Sequence, residues 1–181
     1  MSDLPLRGRV LLTGPSNVGK TRLTARTLER WIGAHDAEGV VILDFAPEIE
    51  RDGVLLGGRL SRFVDIPETA WIGALDAHAP RAEGETPTEA RRLARENAER
   101  ARVLIEEAPE AEAVFVNDAT IPFQHEGSDV EALLAACADA ELVVMNAFSG
   151  QELGTNDPIS RRERKARERL IEWAGTHETL R

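Results

Sequence analysis

Gly14-Pro15-Ser16-Asn17-Val18-Gly19-Lys20-Thr21 meets every fixed position of the pattern G-x-x-x-x-G-K-[ST]. Arg9-Val10-Leu11-Leu12-Thr13 precedes it, a short apolar run that reads as a buried strand. Residues 22–31 follow, with Leu23, Thr27, Leu28 and Trp31 on one face of a predicted helix. Strand, glycine-bearing loop and helix together form the context in which this pattern signifies phosphate binding. Successive backbone N–H groups from Asn17 to Thr21 can curl around phosphate oxygens, and the helix adds its positive N-terminal end. Gly14 and Gly19 permit torsions and close backbone approach that a Cβ would obstruct. Lys20 offers a compact charge to the β- and γ-phosphates, and the Thr21 hydroxyl can ligate Mg²⁺. The expected nucleotide-binding stretch is Gly14 through Thr21 together with Arg22.

Composition adds a second argument. Lys20 and Lys165 are the only lysines, every other cationic side chain being Arg. The position where a flexible ammonium suits the chemistry is one of the two that keeps Lys. On the quoted motif the chain resembles the P-loop NTPases carrying the Walker A sequence. That resemblance is specific for about the first fifth of the chain and implies ATP or GTP as ligand, with Mg²⁺. The N-K-x-D pattern of guanine-specific proteins is absent from Asn146-Ala147-Phe148-Ser149, which favours ATP over GTP.

At 181 residues the chain suits one well-cored domain, residues 1–181. With 42% hydrophobic and 30% charged residues its composition is that of a globular protein. No apolar run approaches the roughly 20 residues needed to span a bilayer, and the N-terminus lacks a signal-peptide pattern, so a cytoplasmic location is expected. A single cysteine, Cys137, excludes an intramolecular disulfide. The net charge of −10 argues against nucleic acid as a partner.

Further strands are expected at 40–43, 113–117 and 142–145, alternating with helices. The fold class is therefore three-layer α/β, with a mainly parallel sheet of four to five strands. Strand C-termini line the ligand crevice of such sheets, which brings three polar residues to the loop's side. Asp44 ends the second strand as a Mg²⁺-side acid, a general base, a substrate-orienting carboxylate or a simple turn cap. Asp118 follows Val114-Phe115-Val116-Asn117 in the manner of a Walker B acid that holds Mg²⁺ opposite Thr21. Asn146, after the last strand, is a candidate contact to the nucleobase.

Between these strands, residues 50–61 read as a glycine-bearing connection, 62–66 as a short strand, 71–75 as helical turns and 78–87 as a loop. Thr86-Pro87-Thr88-Glu89 opens a long helix, in whose apolar stripe Asn97 reads as a satisfied core residue. Ser128/Glu131 and Ser160/Glu163 read as further capping boxes, and Glu163–Arg167 as an i,i+4 pair. The last helix, at about 159–174, crowds six cationic residues around a narrow apolar stripe. It reads as a solvated face, a lid over transferring phosphates, or a docking surface.

Three functional expectations follow. A small phosphotransferase would use Lys20, Thr21 and Asp118 on ATP, with Asp44 activating a small-molecule acceptor. A nucleotide-gated switch would act through a protein partner, with 45–61 and 119–127 sensing the γ-phosphate. The spacing from Lys20 to Asp44-Phe45-Ala46-Pro47 is similar to that of partitioning-type ATPases, although Pro15 stands where their extra lysine would. On sparser matches, at residues 115–120 and at Asn146, Gly150 and Pro158, the chain resembles the adenosylcobinamide kinases. Their guanylylated histidine would have its nearest counterpart in His78.

Overall fold

The computed structural model describes residues 3–51, 54–56, 58–152 and 154–181. In chain order it contains β1 (Gly8–Gly14), α1 (Lys20–Ala34), β2 (Val40–Asp44), β3 (Ile49–Arg51), β4 (Val54–Leu56), β5 (Trp71–Ala74), α2 (Pro80–Glu83), α3 (Pro87–Glu107), β6 (Ala113–Asn117), α4 (Glu131–Ala136), β7 (Leu142–Phe148), α5 (Pro158–Trp173) and β8 (Thr176–Thr179). Six strands form one all-parallel sheet in the order β5-β2-β6-β7-β1-β8, and β3 pairs antiparallel with β4. With helices on both faces, the architecture is α/β and consistent with a P-loop NTPase fold.

The apolar runs become central strands because both faces of the sheet are covered. Side chains alternate along each strand. Val10, Leu12, Ile42, Phe115 and Val144 pack with Leu23, Leu28 and Trp31 of α1. Leu11, Val41, Leu43, Val114, Val116 and Val143 pack on the opposite face with α3, α4 and α5. Phe115 is fully buried at the centre, and its truncation to Ala would cost about 3–5 kcal/mol. At its far end α5 is pinned to β1 by Arg9, whose guanidinium lies 4.2 Å from the Trp173 ring centre.

Several local expectations are corrected. The sheet has six strands, since Trp71–Ala74 is an edge strand and Thr176–Thr179 the opposite edge. The apolar run 71–75 is thus a strand and not helical turns, whereas β8 escapes a hydrophobicity reading. β8 contains no apolar residue and is held to β1 by its ladder and by Thr13 Oγ1, which lies 2.8 Å from His177 Nε2 and 3.2 Å from Thr179 Oγ1. The strand expected at 62–66 is replaced by a 3-10 turn, Leu60–Arg62, followed by the half-exposed Phe63. Within the connection expected at 50–61, Gly53 and Gly57 lie outside the described residues. The 78–87 loop contains the short helix α2. Thr86 caps α3 as expected, accepting from Glu89 N at 3.1 Å, and Asn97 bonds the His78 backbone through both its amide oxygen and nitrogen. Glu131 and Glu163 cap nothing, because each is paired across the fold, with Arg169 and Arg81 respectively. Asp157 caps α5 instead, and Arg167 bonds Phe148 O.

A candidate nucleotide site at the strand ends

The C-terminal ends of β1, β6 and β7 meet at one edge, and Gly14 stands in register with Phe148. The loop leaving β1 carries positive φ at Gly14 (156°), Asn17 (61°) and Gly19 (94°), which turns successive N–H groups toward one concavity. At Gly14 only hydrogen fits, since a Cβ would meet Leu180 O at 2.6 Å. The loop runs directly into α1, whose N-cap is Gly19 with no side-chain cap and no acid in its first turn. The other two long helices, α3 and α5, do carry side-chain caps, from Thr86 and Asp157. Of the three long helices, α1 is thus the one whose start has no side-chain cap and presents its N–H groups to the loop.

Lys20 Nζ donates to Gly14 O at 2.9 Å and also to Pro15 O. Burial pushes its ammonium below the ordinary lysine value, and the carboxylates of Asp118 and Glu152 oppose that shift. Glu152 Oε1 accepts from Ser16 N at 3.0 Å, so a carboxylate rests on one of the loop's own amides.

Behind the loop runs a buried polar chain. Leu60 N donates to Asp44 Oδ2 at 2.7 Å, and Asn117 Nδ2 donates to Asp44 Oδ1 at 2.8 Å and to Gly58 O at 2.9 Å. Asn117 Oδ1 accepts from Asn146 Nδ2 at 2.9 Å and from Thr21 Oγ1 at 3.3 Å, so both amide donors and both acceptor positions are engaged. Asn146 Nδ2 also donates to Thr24 Oγ1, and Thr24 donates to Lys20 O, each at 3.0 Å. Asn146 Oδ1 accepts from Asp118 N at 3.0 Å and so fixes Asp118 at φ 53°, a left-handed conformation that Asp tolerates.

These contacts place two expected site residues inside the protein, behind the loop. Asp44 is 3% exposed, with both oxygens hydrogen-bonded, and it does not line the cavity. It anchors the 58–60 segment, and burial pushes its carboxyl above the ordinary aspartate value. Asn146 is fully buried, both its amide donors engaged by Thr24 and Asn117 and its amide oxygen accepting from Asp118 N, and it does not line the cavity. It positions Asp118 and the start of α1. His78 pairs with Glu96 at 3.0 Å and does not line the cavity over the loop.

A cavity of about 860 Å³ covers the loop, with Ser16 through Arg22 on one side. The facing wall carries Arg81, Asp118, Thr120, Phe148 and Glu163. Burial pushes the Asp118 carboxyl up to about 6; the nearby Lys20 charge restrains the rise, and the Asp44 and Glu163 carboxylates add to it. The sequence does not single out Arg81, and it marks Glu163 only as a capping and i,i+4 residue, not as part of the site. Glu163 is 2% exposed, pairs with Arg81 at 2.6 Å, and accepts from Thr120 Oγ1 at 3.2 Å and Gln124 Nε2 at 3.0 Å. Its one sequence signal was a carboxylate within the apolar stripe of α5.

No family model and no curated protein matches the chain. Among solved structures it is similar to Pif1 helicase from Candida albicans, at 9% identity and a TM-score of 0.40. That alignment covers 96% of this chain and 36% of the helicase chain, so the protein spans about a third of the neighbour's length. Among the described residues no helix is long and apolar enough to cross a membrane.

Proposed function

We propose that the chain binds a purine nucleoside triphosphate, ATP in preference to GTP, and transfers its terminal phosphoryl group to a small acceptor. The observation that carries this reading is the pairing of Lys20 and Asp118 across one cavity, over an uncapped helix start. Backbone N–H groups from Asn17 to Thr21 receive the phosphates, and Lys20 swings from its carbonyl partners to the β- and γ-oxygens.

Thr21 and Asp118 suit Mg²⁺. Both line the cavity, and the Thr21 hydroxyl donates its proton to Asn117, leaving its lone pairs for a cation. Bound there, Mg²⁺ would neutralise phosphate charge. In the transfer, the acceptor hydroxyl oxygen bonds to the terminal phosphorus while the bond to the bridging oxygen breaks. The diphosphate leaves with that electron pair, and the hydroxyl proton passes to solvent. The protein contributes chiefly position and charge.

A second reading, a switch acting through a protein partner, draws on the chain Thr21–Asn117–Asp44–Leu60, which links the loop to the 58–60 segment. Measuring ADP release from Mg·ATP separates the two. Transfer predicts slow hydrolysis that hydroxylated small molecules accelerate with formation of a phosphorylated product. Acceleration by a protein alone would favour the switch, and turnover unchanged in Lys20→Ala would refute both.

A further inference from the structure

Next to the P-loop cavity lies a second one of about 510 Å³, and the two share Arg81, Phe148 and Glu163. The shared residues make them adjoining compartments on either side of the Arg81 guanidinium, which lies 5.5 Å from the Phe148 ring centre. The second compartment is lined by Arg164 and Arg167 of α5, by Ser160, and by residues 149–151 and 154–156.

Its charges are unevenly matched. Arg81 is neutralised by Glu163 at 2.6 Å and also donates to Ser160 Oγ at 3.0 Å. Asp157 is engaged as the cap of α5, accepting from Ser160 N at 2.9 Å, and Glu152 is turned onto Ser16. Among the described residues, neither Arg164 nor Arg167 belongs to an ion pair, in a chain of net charge −10. Each uses one nitrogen on a neighbouring carbonyl, Arg164 on Thr155 O and Arg167 on Phe148 O. A guanidinium carries five N–H donors in a planar fork, so both retain donors that match a carboxylate or a phosphate. Two uncompensated guanidinium groups on one polar cavity make an anion site, and Arg81 places it beside the phosphoryl-transfer compartment.

We infer that the acceptor is itself an anion, whose carboxylate or phosphate seats on Arg164 and Arg167 while its hydroxyl reaches past Arg81 into the P-loop cavity. This rests on the reading of that cavity as the nucleotide site. The alternative is that the two arginines only hold Thr155 and Phe148 by their carbonyls.

The test is calorimetric titration of Mg·ADP-saturated protein with inorganic phosphate and, separately, with malonate. ADP binding is measured first. Saturable binding of either anion is expected, weakened at least tenfold in Arg164→Gln/Arg167→Gln with ADP affinity unchanged. Phosphate alone would identify a phosphorylated acceptor, malonate alone a carboxylated one. Arg164→Lys/Arg167→Lys guards against misfolding and should bind with intermediate affinity. Three results would overturn the inference: no saturable anion binding, binding indifferent to the arginine substitutions, or phosphate binding lost only in Lys20→Ala. If ADP itself fails to bind, the nucleotide reading falls separately, and the same anion titrations on nucleotide-free protein still decide whether the arginine site exists.

Discussion

The two walls of the P-loop cavity are built in different ways. One is a single unbroken stretch, Ser16 through Arg22, which acts through backbone N–H groups and one ammonium. The other gathers Arg81 from α2, Asp118 and Thr120 from the turn after β6, Phe148 from β7 and Glu163 from α5. It acts through side chains whose charges are balanced only once the fold is complete. The loop wall depends on local backbone geometry and should tolerate side-chain loss, whereas the facing wall is a buried electrostatic assembly in which each removal strands a partner.

Arg81→Ala tests this contrast most strongly. It leaves the Glu163 carboxylate buried without its cation, and the expected loss is about 3–5 kcal/mol in urea unfolding. Adding Glu163→Gln should recover most of that loss, a coupling read from the double-mutant cycle. Ser16→Ala on the opposite wall should change stability by less than about 0.5 kcal/mol. Equal effects from the two walls would break the comparison.

Asn117→Ala comes next. It deprives Asp44, Asn146, Thr21 and Gly58 O of their shared partner, and about 3 kcal/mol should be lost. Nucleotide affinity should fall as well, because Thr21 and Asp118 depend on that chain for their placement. Unaltered affinity would detach the polar chain from the site.

Asp118→Asn should be stabilising, with a sign set by pH. In the fold the carboxyl is pushed up to about 6, so the charged form weighs against the folded state. That penalty is absent at acid pH, where the carboxyl is protonated whether folded or unfolded. It grows as pH rises from the ordinary aspartate value near 4 through about 6, and is complete above that. Removing the charge should therefore raise stability above pH 6 by about 3 kcal/mol, at about 1.4 kcal/mol per unit, and change little at the acid end. The same substitution should weaken Mg²⁺-dependent nucleotide binding. A gain at acid pH rather than near neutrality would reverse the assignment.

Glu152→Gln should have the smallest effect. Withdrawing an exposed carboxylate from Ser16 N and Lys20 should tighten Mg·ADP binding about threefold at low salt, and less at high salt. Stability should not change measurably.

The same division explains what could be read in advance. The loop and the four central strands are continuous runs whose residues dictate their own geometry, and these elements stand as expected. β8 is an edge strand stabilised by its neighbour's ladder rather than by apolar content, and the four-residue apolar edge strand β5 is too short for periodicity to tell it from helical turns. Thr86 formed its cap because Glu89 N lies three residues away. Glu131 and Glu163 did not complete theirs, because Arg169 and Arg81 claim them from across the fold. Asp44 and Asn146 stand at strand ends facing the loop's side, as the pattern requires. Whether such a residue opens into the cavity or closes into a polar chain is decided by Asn117, Thr24 and the 58–60 segment. Arg81 and Glu163 lie 82 residues apart, and nothing local links them.

The central claim is nucleotide binding through Lys20. It is tested most directly by thermal unfolding with Mg²⁺ and each of ATP, ADP, GTP and GDP, beside Lys20→Ala. A ligand at 100 times its Kd that binds only the folded state adds about 2.7 kcal/mol. For a domain of this size that corresponds to a rise of about 5–10 °C. The account predicts such a rise with adenine nucleotides, larger than with guanine nucleotides and abolished in Lys20→Ala. No rise with any nucleotide, or an equal rise in the variant, would contradict it.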